Sequence, residues 1–258
     1  MRRKIEIAFR RKVRAVWLEK GMALAAQEVP WIAAKPALAN DIAAENPGAE
    51  TIRKVLEHIR RIWFEPPDDC RGLHSDALRL YRANSSPDVR FILNWGMAVA
   101  AYPFVGSVAE ALGRLLRLQK EAHRIDVQRR LREQHGDRDF VDRITRYNIS
   151  SFLDWGVIEE GKKSGVYHTS NQRRSKSPDH LAWLAEAVLI SRGEAQMAFS
   201  QICHHPMLFS ISVEAITTSI LRTSHRLKVA RLGLNDDFVS LEMTVSQSKQ
   251  LSLSERLS

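Results

Sequence analysis

Arg143, Arg146, Tyr147 and Ser150 fall at i, i+3, i+4 and i+7 of a helix predicted over Phe140 to Trp155. They lie opposite an apolar set of Phe140, Val141, Ile144, Ile149, Phe152 and Leu153. Guanidinium, phenol and hydroxyl groups in one row are donors suited to phosphate oxygens and base edges, the contacts a helix makes when it lies in a major groove. Arg138, at the start of the same helix, is a further phosphate candidate. Charges also occupy the solvated face of any amphipathic helix, so the stripe has to be weighed with its surroundings.

Just downstream, Val157-Ile158-Glu159 and Val166-Tyr167-His168 read as short strands around the glycine-bracketed tip Gly161-Lys162-Lys163-Ser164-Gly165. From Gly161 to Lys176 there are five basic residues, Lys162, Lys163, Arg173, Arg174 and Lys176, and no acidic one. Such a tip can reach a phosphate backbone or a minor groove. A second amphipathic helix is predicted over Thr51 to Phe64, where Ile52, Val55, Leu56, Ile59, Ile62 and Trp63 share a face. It leaves Arg53, Lys54, Arg60 and Arg61 outward as additional phosphate contacts, together with the basic N-terminus.

These segments need a scaffold, and the composition supplies one. The chain has 258 residues, enough for one large or two small domains with a real core. Its 39 Lys and Arg against 30 Asp and Glu leave a formal charge of +9, which favours an acidic partner. Cys70 and Cys203 sit in no metal-binding spacing and fit a reducing cytoplasm. Charged residues interrupt any apolar run after Met1-Arg2-Arg3-Lys4, so no signal peptide is expected. Phe91 to Ala109 carries no formal charge over about the length of a membrane span. Asn94, Gly96, Tyr102, Pro103 and Gly106 break it into two buried helices joined by a corner, with Ser107 expected to cap the second.

The expected fold is mostly α. Residues 1–66 form an N-terminal helical unit, with short helices ending near Gln27 and Glu45 before the Thr51 helix and a stop at Asn46-Pro47-Gly48. Residues 67–176 hold a helical pair, Asp76 to Arg82 and Pro87 to Ala101, followed by the segment carrying the stripe. That segment reads helix, helix, helix, hairpin. Val108 to Gln119 places Val108, Ala111, Leu112, Leu115, Leu116 and Leu118 inward, and Ile125 to Gln134 does so with Ile125, Val127 and Leu131. Gly136 stops the second helix, and Asp137 or Asp139 caps the third. Residues 177–243 contribute helices over Leu181 to Ser191, Glu194 to Cys203 and Val213 to Thr223, then a hairpin over Leu227 to Leu241. Residues 244–258 read as a polar tail.

The order of elements from Ser107 to Thr169, with Trp155-Gly156-Val157-Ile158 and Gly165-Val166-Tyr167 at its end, resembles a winged helix-turn-helix domain. The whole chain, with a possible helix-turn-helix unit in front, also resembles the BrxA family, accessory proteins of BREX phage-defence systems. The resemblance implies a non-enzymatic protein that binds double-stranded DNA, working beside other defence-system proteins in a bacterial cytoplasm. The segment Leu227 to Leu241 departs from that pattern. The alternative is a docking module that uses the same scaffold to hold a protein partner.

Enzymatic signatures are missing. Gly161-Lys162-Lys163-Ser164 lacks the spacing and following helix of a phosphate loop. Pro67-Asp68 and Pro178-Asp179 lack the downstream acid and lysine of a nuclease, and Cys203-His204-His205 has no second ligand pair. No cofactor and no metal are expected. The six tryptophans sit in apolar helical stripes and read as core anchors rather than base-stacking platforms.

Overall fold

Val55, Leu56, Ile59, Ile62 and Trp63 recur at three- and four-residue spacing and form the buried face of α3 (Ala49–Trp63). In this computed structural model, which describes residues 8–136, 139–212, 216–232 and 236–242, α3 packs with α1 (Ala15–Ala26) and α2 (Trp31–Ala43). The chain then continues through a single helical turn at Asp68–Cys70 into α4 (Arg71–Ala83), α5 (Pro87–Ala101) and α6 (Pro103–Gln119). A two-residue strand β1 (Ala122–His123) leads to α7 (Arg124–His135) and α8 (Asp139–Asp154). The hairpin β2 (Ile158–Glu160) and β3 (Val166–Thr169) follows, then β4 (Arg173–Arg174) and α9 (Pro178–Arg192). The chain ends its described part with β5 (Gln196–Ala198), α10 (Phe199–Cys203), β6 (Ile211–Ser212), α11 (Thr218–Arg222), β7 (Leu227–Leu232) and β8 (Asp236–Leu241). The protein is mostly α-helical, with small sheets and a C-terminal hairpin, as the sequence pattern predicts.

The corner between α5 and α6 falls at Tyr102-Pro103, where the helices turn through 114°. Pro103 lacks an amide hydrogen and suits the first helical position, so α6 begins there. Both helices are largely buried within the protein, and no single helix among the described residues is long and apolar enough to cross a membrane. One continuous cluster of buried side chains runs from Ala8 to Val239 and draws on all three segments 1–66, 67–176 and 177–243. Buried tryptophans anchor it through their indole N–H groups: Trp63 donates to Asn94 Oδ1, Trp95 to Met207 O and Trp183 to Leu73 O. Trp31 is half-buried instead, packed against Phe64.

The structure corrects several local expectations. Ser107 does not cap α6; it lies inside the helix, and its hydroxyl donates back to Pro103 O. Leu118 and Ile125 are exposed rather than inward. Each is two residues from an inward neighbour, Leu116 or Val127, and so about 200° away around its helix. Residues 194–203 are not one helix: Gln196–Ala198 pairs antiparallel with β8, and only Phe199–Cys203 is helical. Of the helix expected over 213–223, residues 216–223 are described and only Thr218–Arg222 is helical. The first helix spans Ala15–Ala26, ending next to Gln27 as expected. The hairpin over 227–241 is present as β7 and β8, its turn lying outside the described residues. The tail and residues 1–7 also lie outside them.

The segment from Ala8 to Arg14 runs without regular secondary structure and buries Ala8, Phe9 and Val13. The C-terminal end of α8 holds it. Val13 N–H donates to Ser151 Oγ at 2.9 Å, and Trp155 Nε1 donates to Val13 O at 2.8 Å. Asp154 then accepts from Ala15 N–H, the first amide of α1, at 2.9 Å and from Arg14 Nε at 3.0 Å. That carboxylate caps α1 from a distant part of the chain, which explains why no local side chain does so.

Phe9 meets His58, Tyr102 and Trp155 in an aromatic cluster. Arg10 N–H donates to His58 Nε2 at 3.0 Å, so Nδ1 of the neutral ring carries the hydrogen and donates to the Tyr102 hydroxyl 2.9 Å away. Burial, with help from the positive charges of Arg10, Lys54, Arg61 and Arg11, pushes the His58 imidazole down to about 3. The unfolded chain protonates this ring below its ordinary value of 6.5, while the folded chain does not until about 3. The stabilising contribution is therefore complete above pH 6.5 and falls as the pH drops, by about 1.4 kcal/mol per pH unit. A His58→Gln chain, whose amide keeps an acceptor for Arg10, loses this dependence. Between pH 6.5 and 4.5 its unfolding free energy should drop less than the wild type's by roughly 2–3 kcal/mol, read by denaturant titration at each pH.

Candidate nucleic-acid interface

The inward face of α8 is set by Val141, Ile144, Ile149 and Phe152 as the period predicts, while Phe140 and Leu153 are half-buried. Thr145, Asn148 and Ser151 are buried beside them, a polar strip the apolar pattern did not reveal. Each bonds back to a carbonyl four residues earlier: Thr145 to Val141, Asn148 to Ile144 and Ser151 to Tyr147. With those faces committed, Arg143 and Arg146 are left exposed and Tyr147 and Ser150 half-exposed, so the four residues of the stripe share one accessible strip. Neither arginine has a carboxylate partner among the described residues. Arg143 stacks over the Phe140 ring at 5.7 Å. Arg138, and Asp137 as a cap, lie outside the described residues; Asp139 is the first residue of α8.

Two shallow clefts border the strip. On one side Arg146 joins Arg124, Gln128, Asp139 and Asp142 around about 340 Å³, a lining of mixed sign. Asp142 is itself paired to Arg132 at 2.9 Å. On the other side Arg143 and Tyr147 join Arg10, Arg11 and Lys54 around about 230 Å³, with Phe140 and Ile144 and, among the described residues, no carboxylate in the lining.

β1 is too short to show any alternation in the sequence, yet it completes a three-stranded antiparallel sheet of order β1-β3-β2. Ala122 pairs with Tyr167 and Ile158 with Thr169, which ties the start of α7 to the hairpin that follows α8. The tip of the hairpin is a built turn. Gly165 adopts φ of 79°, a conformation that glycine accepts freely, and Glu160 Oε1 accepts from Gly165 N–H at 2.7 Å and from Ser164 Oγ at 3.2 Å. Lys162 and Lys163 are exposed at that tip and form no ion pair among the described residues. Glu160, the acid that opens the tip, is engaged with the turn, and neither it nor Glu159 forms an ion pair with the lysines among the described residues.

The other candidates divide. Arg174 is exposed. Arg173 belongs to the scaffold: its backbone pairs in parallel with Ile211, and its guanidinium lies 5.5 Å over the Phe91 ring and 3.8 Å from Asp88. On α3, Arg53 is held by Glu50 at 2.8 Å and by Glu57 at 2.5 Å, Lys54 by Glu50 at 3.0 Å and Arg60 by Glu65 at 2.5 Å. The hydrogen bonds of Arg53 and Lys54 hold the Glu50 carboxyl at about 2. Arg61 donates to Ala101 O at 3.2 Å and covers the Tyr102 ring. The positive charge of α3 is thus largely answered by its own acids. Glu50 and Glu65 could have signalled this from the sequence, since each lies within five residues of the base it pairs with.

Among the described residues no three His, Cys, Asp or Glu side chains gather to hold a metal ion. His205 Nδ1 accepts from Met207 N–H and so serves a local turn. Comparison of the chain with family models, with curated proteins and with solved structures finds no match.

Proposed function

We propose that this protein binds double-stranded DNA through a winged helix made of α6 to β3, without catalysis of its own. The observation that carries this reading is where the uncompensated cations lie. Arg143 and Arg146 on α8 and Lys162 and Lys163 on the hairpin tip are exposed and form no ion pair among the described residues, whereas Arg53, Lys54 and Arg60 of α3 are paired. In a winged helix these two elements are the ones that enter a groove and touch the adjoining backbone. An accessory role beside other proteins of a phage-defence system, implied by the resemblance to BrxA, belongs to the same proposal.

Fluorescence anisotropy of a labelled duplex of about 30 base pairs, measured across a salt series, tests it. With roughly six to ten phosphates neutralised, the log-log slope is about −5 to −9. A slope near zero, or no binding at low salt, removes the DNA reading and leaves the docking module.

A further inference from the structure

We propose that the cleft between the Ala8–Arg14 segment, α3 and α8 is a phosphate site that takes one backbone phosphate of the bound nucleic acid, with Arg11 as its main donor. This deepens the DNA-binding reading of α8 and rests on it. The proposal is carried by a cavity of about 230 Å³ into which three separate parts of the chain bring Arg10, Arg11, Lys54 and Arg143. Lys54 already answers Glu50 at 3.0 Å, so the charge left for an anion is that of Arg11 and Arg143, which form no ion pair among the described residues, and an anion between them relieves their mutual repulsion.

The arginines are also held in place. Arg11 Nε donates to Thr51 Oγ1 at 3.1 Å, Nη1 donates to Arg10 O at 2.8 Å, and the guanidinium covers the Tyr147 ring at 5.5 Å. Those bonds use two of its five N–H groups and leave Nη2 without a hydrogen bond among the described residues. Across the cleft Arg143 is steadied by Phe140 and commits no N–H group to a carboxylate among the described residues. Two guanidinium groups fixed on aromatic faces are suited to a tetrahedral oxyanion, since the fork geometry is set before the ligand arrives.

Size narrows the ligand class. Sites for whole small molecules occupy roughly 300–1,000 Å³, and this cleft is smaller, with both aromatic rings of its described lining, Tyr147 and Phe140, already covered by arginines. A volume of about 230 Å³ suits a phosphate with part of its sugar. Because Tyr147 and Arg143 line the cleft and also belong to the exposed strip of α8, a duplex lying on that strip passes its backbone over the opening. The Ala8–Arg14 segment would then grip the nucleic acid beside the helix that reads it.

The test compares wild type, Arg11→Gln and Arg11→Lys in duplex anisotropy across a salt series, with thermal unfolding of each chain in pyrophosphate as a second arm. A phosphate contact predicts that Arg11→Gln lowers the magnitude of the slope by about one and weakens binding evenly across duplex sequences, while Arg11→Lys restores the slope. A purely structural role of Arg11 predicts the reverse, since lysine cannot reproduce its bonds to Thr51 and Arg10. Wild type that binds duplex with a slope unchanged by Arg11→Gln overturns the phosphate site and leaves the DNA reading standing. Wild type that binds no duplex removes that reading, and the second arm then decides the cleft. A midpoint raised by pyrophosphate in wild type and not in Arg11→Gln keeps an anion site for free phosphates, and equal midpoints remove it.

Discussion

Replacing Arg226 by Ala should lower the stability of the folded protein by about 3–5 kcal/mol at neutral pH, because it strands a buried charge. Glu186 on α9 is only 3% exposed, and Arg226 donates to its Oε2 from Nε at 3.1 Å and to its Oε1 from Nη2. Burial raises the Glu186 carboxyl, and Arg226 opposes that rise. Without the guanidinium, the carboxylate either stays ionised in an apolar site or takes up a proton. For a chain of this size the loss corresponds to a thermal midpoint lower by roughly 6–20 °C.

The pH dependence of the defect identifies its cause. A carboxyl raised above its unfolded value costs nothing when both states are protonated, and the cost grows as the pH rises through the unfolded value. The gap between Arg226→Ala and wild type should therefore narrow toward pH 4.5 and be widest above pH 7. Adding Glu186→Gln should recover part of it at neutral pH. A gap that does not change with pH would falsify the buried-charge account and leave lost packing in its place. Gly72 belongs to the same arrangement: a Cβ built there would stand 1.2 Å from Arg226 Nη1, so Gly72→Ala has to displace the guanidinium and should produce a related defect.

The Arg143→Ala/Arg146→Ala double variant should bind duplex at least tenfold more weakly than wild type near 0.1 M salt, while unfolding at nearly the same temperature. Both side chains are exposed and neither answers a carboxylate among the described residues, so little of the fold depends on them. If both touch phosphates, the salt slope loses about two. If they touch base edges, the loss is confined to preferred sequences, at about 1–3 kcal/mol for each bidentate contact. Arg53→Ala/Arg60→Ala is the matched control, removing the same charge from α3. These arginines are already bound to Glu50, Glu57 and Glu65, so the slope should hold. Equal losses in the two double variants would mean that net charge alone drives binding and that the α8 strip has no special part.

Much of the scaffold was legible because local patterns decide it. The corner at Tyr102-Pro103, the stop at Gly136 and the helical face of α3 each follow from residues within a few positions of one another. What the sequence did not show depends on partners far along the chain. Residues 196–198 leave the helical pattern because β8, some forty residues later, offers them a strand to pair with. Ser151 is buried on α8 because it supplies the acceptor for Val13 N–H. The candidate site followed the same rule. The strip on α8 could be read by periodicity, but Arg10 and Arg11 come to it only through the threading of Ala8–Arg14, which no spacing within α8 records.

That threading also fixes an order of events during synthesis. Val13 and Ser151 are 138 residues apart, and Val13 and Trp155 are 142 apart, so the bonds that seat the segment cannot form until the end of α8 has been made. At ribosomal rates of about 5–20 residues per second, a nascent chain waits roughly 7–30 s with Phe9 and Val13 unburied. Closing so long a loop is slow relative to local helix formation, and contacts of this separation raise the contact order. The α1–α3 unit can gather first, while the helix that carries the candidate interface is locked late, by residues made well before it.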